Sequence, residues 1–326
     1  MDVTYREEFD RWIIGDRFVR PVIRRLLRPR RTNLSGMQTV VRNFLTGLNR
    51  LNIAHTYNQP FFTLGRSRKV VSFGLGLNGV KGLARSNPVI AAIGFPYPAE
   101  LPDLCEQYNI RKFLQHSDWV LDLVRSANIY PSEIFDLWPA GIDTDKWAPT
   151  ADRRAGESGT EILIYDKTPR EGGSAFDTDL VQPIREYLHA NNRSYSEIRY
   201  GQYSTAEYQA KLRRARAMIF LSAHESQGLA YQECLSCNVP VLAWDPGIWL
   251  DPARHKYGRP HVHATSVPFF DEQCGSKFRD FSEFAAVFEP FLERALSGAF
   301  RPREFILQNL TIEKSTRRML EIYNSI

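Results

Sequence analysis

Glu225 and Glu233 bracket the stretch Ser226-Gln227-Gly228-Leu229-Ala230-Tyr231-Gln232, seven residues that set two carboxylates at a spacing with chemical meaning. An apolar run, Ala217 to Ser222, precedes them, and a second, Pro240 to Trp244, follows. The order reads as a strand, a loop carrying the first acid, a helix carrying the second, and another strand. Both acids then fall at the carboxyl end of a parallel sheet, where open α/β sheets bind ligands. A helix that opens near Gly228 presents free backbone N–H groups and the positive end of its dipole, which suits a diphosphate. Glu233, more than one turn into that helix, can accept two hydrogen bonds from the vicinal hydroxyls of a ribose. Glu225, in the loop before it, faces whatever is attached beyond the phosphates. Two glutamates also fall at this spacing by chance in a charged chain; the flanking strands, Gly228 and the following Asn238-Val239-Pro240-Val241 weigh against chance here. Lys167 and Arg170 come just after another apolar run, Glu161 to Asp166, and point at the same crevice if that run is a strand of the same sheet. The plain alternative for both is a solvated loop.

These residues need a sheet to hold them, and the chain supplies elements for one in each half. In the second half Glu161–Asp166 reads as a strand, Val181 to Ala190 as a helix, Glu197 to Tyr200 as a strand and Thr205 to Ala215 as a helix. In the first half Lys69 to Gly74 and Pro88 to Gly94 read as buried strands, being short, β-branched and closed by glycine. Asp103 to Phe113 and Trp119 to Ala127 read as helices. Gly36, in Ser35-Gly36-Met37, precedes a helix with apolar positions Val40, Val41, Phe44, Leu45 and Leu48; a glycine there also simply starts a turn. Alternation of this kind predicts an α/β protein with a parallel sheet in each half. The polar segment Thr150 to Thr160 reads as the linker. Residues Gly258 to Lys277 read only as loop, with a short strand at His261–Thr265.

At the residues around Glu225 the chain resembles a known family. Ser222 to Leu229, continued through Glu233-Cys234-Leu235-Ser236-Cys237-Asn238-Val239-Pro240-Val241, is similar to the donor-site signature of the retaining GT-B glycosyltransferases, in particular glycosyltransferase family 4. Ser35 to Leu45 resembles the family's N-terminal glycine loop and first helix, and His116-Ser117-Asp118-Trp119-Val120 a helix start of its acceptor domain. Trp138 to Asp143 with Trp147-Ala148-Pro149 resembles its hinge approach, and Thr311 to Tyr323 its closing helix. The resemblance implies the GT-B fold, two Rossmann-like domains with a cleft between them. The limits it implies are an acceptor-binding domain over 1–150, a nucleotide-sugar-binding domain over 151–304, and a last helix, 305–326, crossing back to the first domain. It implies a hexosyltransferase that moves a hexose from a UDP or GDP sugar to a saccharide or lipid-linked acceptor with retention. Glu225 and Lys167 are then the catalytic residues. Gly36, Lys167, Arg170, Glu225, Ser226, Gln227, Gly228, Leu229 and Glu233 bind the donor, and His116 contacts the acceptor. Basic residues at Lys167 and Arg170 replace the divalent metal of other glycosyltransferases, so no metal and no cofactor beyond the nucleotide sugar is expected. Two departures stand out. Phe95-Pro96-Tyr97-Pro98 lacks the histidine that many members carry, and Asp245-Pro246-Gly247-Ile248-Trp249 replaces a glycine pair. Two rivals remain open on the sequence: a sugar-nucleotide epimerase or phosphorylase of the same fold, and a nucleotide-sugar-binding protein without transfer activity.

Composition agrees with two ordinary domains: 326 residues, 43% of them hydrophobic, can supply two cores. No run approaches the roughly 18 apolar residues of a membrane helix, and the start, Met1-Asp2-Val3-Thr4-Tyr5-Arg6-Glu7-Glu8, lacks the build of a secretory signal. Four cysteines are too few for a disulfide scaffold, so a reducing cytoplasm is expected. Cys234 and Cys237 lie at helical spacing, where cysteine behaves as a small core residue. Arg17, Arg20, Arg24, Arg25, Arg28, Arg30 and Arg31 alternate with apolar residues, a pattern that suits peripheral contact with an anionic membrane and equally a surface helix shortened by Pro21 and Pro29. A net charge of +5 without an aromatic-basic platform argues against nucleic acid. No Gly-x-Gly-x-x-Gly follows a strand, against a dinucleotide dehydrogenase.

Overall fold

The computed structural model describes residues 1–6, 35–59, 64–65, 67–74, 76–94, 99, 101–149, 161–168, 176–259 and 261–326. The basic segment Arg17 to Arg31, the Phe95–Pro98 strand exit, the linker 150–160 and Arg170 lie outside the described residues. The chain divides into two compact units. The first comprises Met1–Gly141, Ala253–Pro260 and Ile312–Ile326, and the second Ile142–Pro252 and His261–Thr311.

In the first unit, strands β1 (Asp2–Arg6), β2 (Thr56–Tyr57), β3 (Val70–Gly74), β4 (Val89–Ala92), β5 (Ile110–Gln115) and β6 (Phe135–Leu137) form one sheet in the order β2-β1-β3-β4-β5-β6. Every pairing in it is parallel. Helix α1 (Gly36–Arg50) starts from a capping box in which Ser35 Oγ accepts the Gln38 N–H and Gln38 Oε1 accepts the Ser35 N–H. Such a box satisfies two of the donors a helix start leaves unpaired. Its Val40, Val41, Phe44 and Leu48 are buried, and Phe44 packs on Phe73 and Trp138 at ring distances of 5.6 and 5.7 Å. The chain's last helix packs against α1; the Trp138 indole N–H donates to its Ser315 carbonyl at 2.9 Å. Gly47 is what lets the two helices approach, since a Cβ there would overlap Thr316 and Ile312. Helices α2 (Leu101–Gln107) and α3 (Asp118–Ser126) complete the described elements that flank this sheet.

One sequence reading fails in this unit. The helix expected over Asp103 to Phe113 ends at Gln107, and Ile110 to Phe113 belong to strand β5. Ile110, Phe113 and Leu114 fall at i, i+3 and i+4, which mimics a helical stripe. The strand is buried between neighbours on both sides, so the period-two signal is lost. The acidic, polar start of the chain is β1, an interior strand of the sheet, where Asp2 is held by Thr56 Oγ1 at 2.6 Å and Arg68 Nε at 2.7 Å.

In the second unit, β7 (Glu161–Asp166), β8 (Tyr195–Arg199), β9 (Ala215–Leu221), β10 (Val241–Trp244) and β11 (Gly275–Phe278) form a parallel sheet in the order β11-β10-β9-β7-β8. Alternation along the strands divides the core by face. Leu163, Tyr165, Met218, Phe220 and Val241 pack with Tyr208 and Leu212 of α5 (Thr205–Arg214), Cys234 and Leu235 of α6 (Leu229–Ser236) and Phe305 and Ile306 of α8 (Pro302–Asn309). Ile162, Ile164, Ile219 and Leu242 pack on the opposite face, with Ile184 and Leu188 of α4 (Gln182–Ala190) and Phe284 and Phe288 of α7 (Phe281–Ser297). Helices on both faces make this a doubly wound unit. Cys237 caps α6 and joins Cys234 in the first core cluster. Helix α4 begins after a π-helical turn, Asp177–Val181. The strand expected at His261–Thr265 is a loop with one isolated bridge, from Ile248 to His263. Helix α9 (Ile312–Asn324) is the last helix, the one that packs on α1.

Candidate functional site

The carboxyl edge of the second sheet carries the constellation. Lys167 is the first residue beyond β7, its N–H donating to Leu221 O at 2.8 Å. The turn that presents it is fixed from below: Asp166 Oδ1 accepts from Thr168 N at 2.9 Å and Thr168 Oγ1 at 2.7 Å and pairs with Arg199 Nη1 at 2.5 Å. From this turn Lys167 Nζ reaches both oxygens of Glu225, at 2.7 and 2.9 Å, and lies 4.7 Å from the centre of the Tyr200 ring. Burial works against the ammonium charge, but the Glu225 carboxylate more than offsets it, so the Lys167 pKa stands above the ordinary lysine value. Glu225 is buried in the loop after β9. Its Oε1 also accepts from Ser222 Oγ at 2.9 Å, and its N–H donates to Thr265 O at 3.0 Å. The neighbouring His224 accepts the Trp249 indole N–H on Nε2 at 3.1 Å. Burial holds its pKa below the usual imidazole value, with Glu225 opposing.

Gly228 turns the chain from loop into α6 with φ 76° and ψ 40°, a left-handed conformation that glycine adopts without steric penalty. Among the described residues no side chain caps the helix there, so the first N–H groups, at Leu229 and Ala230, are the donors that a helix start leaves for a ligand. A Cβ at Gly228 would fall on the Tyr231 ring, 2.7 Å from Cδ1 and closer still to Cε1. Ser226 is half-buried in the loop. Gln227 is buried, its Nε2 donating to Gln232 Oε1 at 2.8 Å while Gln232 Nε2 donates to Gln227 O at 2.8 Å. Glu233 lies on the second turn of α6, buried and without a side-chain hydrogen bond among the described residues. Burial pushes its pKa up to about 8, and the Lys146 charge only partly opposes this.

The structure thus brings Lys167, Glu225, Ser226, Gln227, Gly228, Leu229 and Glu233 into one unit around one loop and helix start. Gly36 and His116 belong to the first unit. Gly36 is the exposed first residue of α1, with nothing within 4 Å of where a Cβ would stand. His116 follows β5, where its Nδ1 hydrogen-bonds Trp138 O at 3.0 Å and its ring lies 5.4 Å from the Trp138 ring. A carbonyl only accepts, so Nδ1 carries the proton and the buried Nε2, which has no partner among the described residues, presents its lone pair. Burial depresses the His116 pKa, which keeps the ring neutral. Residues that sequence reasoning missed include Ser222, Tyr200, Asp245 and Thr265. Tyr200, Asp245 and Thr265 join the site by long-range contacts with no spacing signature, although Asp245 stands in a segment noted as a departure from the family; Ser222, three residues before Glu225, lies within the motif itself.

No family model matches the chain, and no curated protein matches it in sequence. Solved structures do match it over nearly its whole length. HepE of Anabaena, solved in complex with UDP, is 10% identical, with all of both chains covered and a TM-score of 0.54. Sucrose-phosphate synthase of Thermosynechococcus elongatus is 12% identical, covering 99% of this chain and 98% of its own, with a TM-score of 0.54. The apo form of the lipopolysaccharide outer core galactosyltransferase WaaB is 11% identical, with all of both chains covered and a TM-score of 0.51. At such identities the likeness speaks for the fold: two parallel-sheet α/β domains of the GT-B kind.

Proposed function

We propose that the chain is a glycosyltransferase that moves a hexose from a nucleoside diphosphate sugar to a saccharide or lipid-linked acceptor, with retention and without a divalent metal. The observation that carries this reading is the Lys167–Glu225 pair set beside the uncapped start of α6. As the bond between sugar and diphosphate breaks, negative charge grows on the leaving phosphate. Preorganised donors aimed at that charge lower the barrier; here they are the Lys167 ammonium and the N–H groups of Leu229 and Ala230. Glu225, paired with Lys167, accepts hydrogen bonds from sugar hydroxyls and fixes the ring. Glu233 accepts those of the ribose. Arg170 and Gly36 serve the same diphosphate, and His116 the acceptor. The UDP complex of HepE makes a uridine nucleotide the first donor to try, and the galactosyltransferase likeness supports a hexose. No helix among the described residues is long and apolar enough to cross a membrane; a lipid-linked acceptor would be met by the basic segment, at the cytoplasmic membrane surface.

The test begins with thermal shifts against UDP, GDP, ADP and dTDP sugars, since a ligand of the native state raises the melting temperature. With the donor so identified, Glu225→Ala is expected to keep diphosphate affinity within a few fold while transfer falls by roughly 10²-fold, the loss that about 1 Å of misplacement produces. An α-linked product from an α-linked donor, seen by NMR, agrees with retention. A β-linked product, or equal rates in wild type and Glu225→Ala, overturns the reading.

A further inference from the structure

The segment from Val262 to Pro268, which the sequence shows only as loop, is tied on both sides to the residues of the site. On one side Trp249 N–H donates to Val262 O at 2.8 Å and Ala264 N–H to Gly247 O at 3.4 Å. On the other, Thr265 O accepts the Glu225 N–H at 3.0 Å and Pro268 O accepts the Tyr231 hydroxyl. Asp245, the first residue beyond β10, sits at the middle of this lacing. Its side chain is 8% exposed. Oδ2 accepts from Thr265 Oγ1 and from Lys277 Nζ, each at 2.8 Å, and Oδ1 accepts the Ser266 N–H at 3.0 Å. Thr265 Oγ1 in turn accepts the Val267 N–H at 3.2 Å. One carboxylate thereby fixes the peptide whose carbonyl holds the Glu225 backbone.

We propose that Asp245 is a positioning residue for Glu225, acting through Thr265. The proposal rests on the reading above that Glu225 faces the sugar, and it names what keeps Glu225 in register there. Glu225 lies in a loop, outside any strand ladder, so the position of its carboxylate depends on its backbone as well as on Lys167 and Ser222. The Glu225 N–H has its anchor in Thr265 O, and Thr265 has its anchor in Asp245. Hydrogen bonds to an ionised acceptor are roughly twice as strong as neutral ones. The charge itself is steadied from the sheet, because Lys277 stands on β11, directly paired with β10. A site group held by a charged support on a strand keeps its geometry better than one left to its loop. The arrangement also gives Asp245 a function distinct from that of Lys167: Lys167 meets the carboxylate of Glu225, and Asp245 governs its main chain.

Amide hydrogen exchange on the ligand-free full chain tests this directly. In Asp245→Asn and in the isosteric Thr265→Val, the amides of Glu225 and Ser266 should exchange about tenfold faster or more, as expected of a local opening. Amides within β7 and β9 should keep their wild-type rates, and Thr265→Ser, which retains the hydroxyl, should restore wild-type exchange at Glu225. Unchanged exchange at Glu225 overturns the proposal, and so does acceleration spread evenly through β7 and β9, which is general destabilisation. Thr265→Val carries the test should Asp245→Asn not fold. A second readout is calorimetry with UDP: affinity should stay within about threefold in Thr265→Val, and a collapse of affinity with Glu225 exchange unchanged would place Asp245 under the diphosphate and refute the assignment. A wild-type protein that binds none of the nucleotide sugars would count against the glycosyltransferase reading, while the exchange rates would still decide whether Asp245 positions Glu225.

Discussion

Gly228→Ala, compared with Gly247→Ala, isolates the packing at the start of α6. Both glycines have φ +76°, but a Cβ at Gly247 meets nothing within 4 Å, whereas one at Gly228 lands on the Tyr231 ring. The left-handed backbone costs an alanine roughly 1–2 kcal/mol at either position. The ring adds to this only at Gly228, and it cannot swing aside. Tyr231 is fully buried, its hydroxyl donates to Pro268 O and accepts from Gln232 Nε2 at 3.1 Å, and its ring packs 5.4 Å from that of Phe220. Overpacking a tight core costs about 1–3 kcal/mol, so Gly228→Ala should lose about 2–5 kcal/mol in total, and the excess over Gly247→Ala is the clash. The assay is urea unfolding read by hydrogen exchange in β7 and β9, which reports the second unit by itself where a two-unit chain need not unfold in one step. Equal losses in the two variants would refute the argument that Tyr231 leaves room only for glycine.

Two further outcomes follow from the charges. Glu233 has its folded pKa at about 8 against an ordinary 4.5, so the folded state holds a proton that the unfolded chain releases between those values; its stabilising contribution is full below about pH 4.5 and lost as pH rises through about 8. Glu233→Gln should therefore match wild type near pH 4 and become the more stable protein as pH approaches 9, and parallel stability curves for the two would contradict this. The charge of Glu225 is what lifts the Lys167 pKa against burial; in Glu225→Gln the Lys167 ammonium, followed by side-chain NMR, should titrate below its wild-type value, and an unmoved titration would show that the pair is not coupled.

What the sequence shows of the site is what is local in the chain. Glu225, Gly228 and Glu233 are legible because a loop and a helix start fix their relation within nine residues, and glycine is the residue type that a left-handed cap requires. Lys167 is legible from its place after an apolar run. Asp245, Thr265 and Lys277 are not: they converge from β10, a loop and β11, and no periodicity links residues that meet only in the folded sheet. The same limit hides β1: a polar, acidic start carries no strand signature, yet Asp2, Thr4 and Arg6 are buried in the folded unit. It also lets the helical spacing of Ile110, Phe113 and Leu114 disguise β5. Both sheets were foreseen as parallel because alternating strands and helices permit little else.

The packing of α9 on α1 has a consequence in time. The ribosome delivers α1, with Val40, Val41, Phe44 and Leu48 on its apolar face, long before it delivers Ile312, Met319 and Ile322. At about 5–20 residues per second, the interval is some tens of seconds. Throughout it the first unit lacks the helix that Gly47 makes room for and the carbonyl that Trp138 donates to. A nascent chain in that window carries a greasy seam open to chaperones and to other nascent chains. Closure of a core begun at α1 thus waits for residues made much later, and a chain released before residue 312 keeps its first unit open however completely the second has folded.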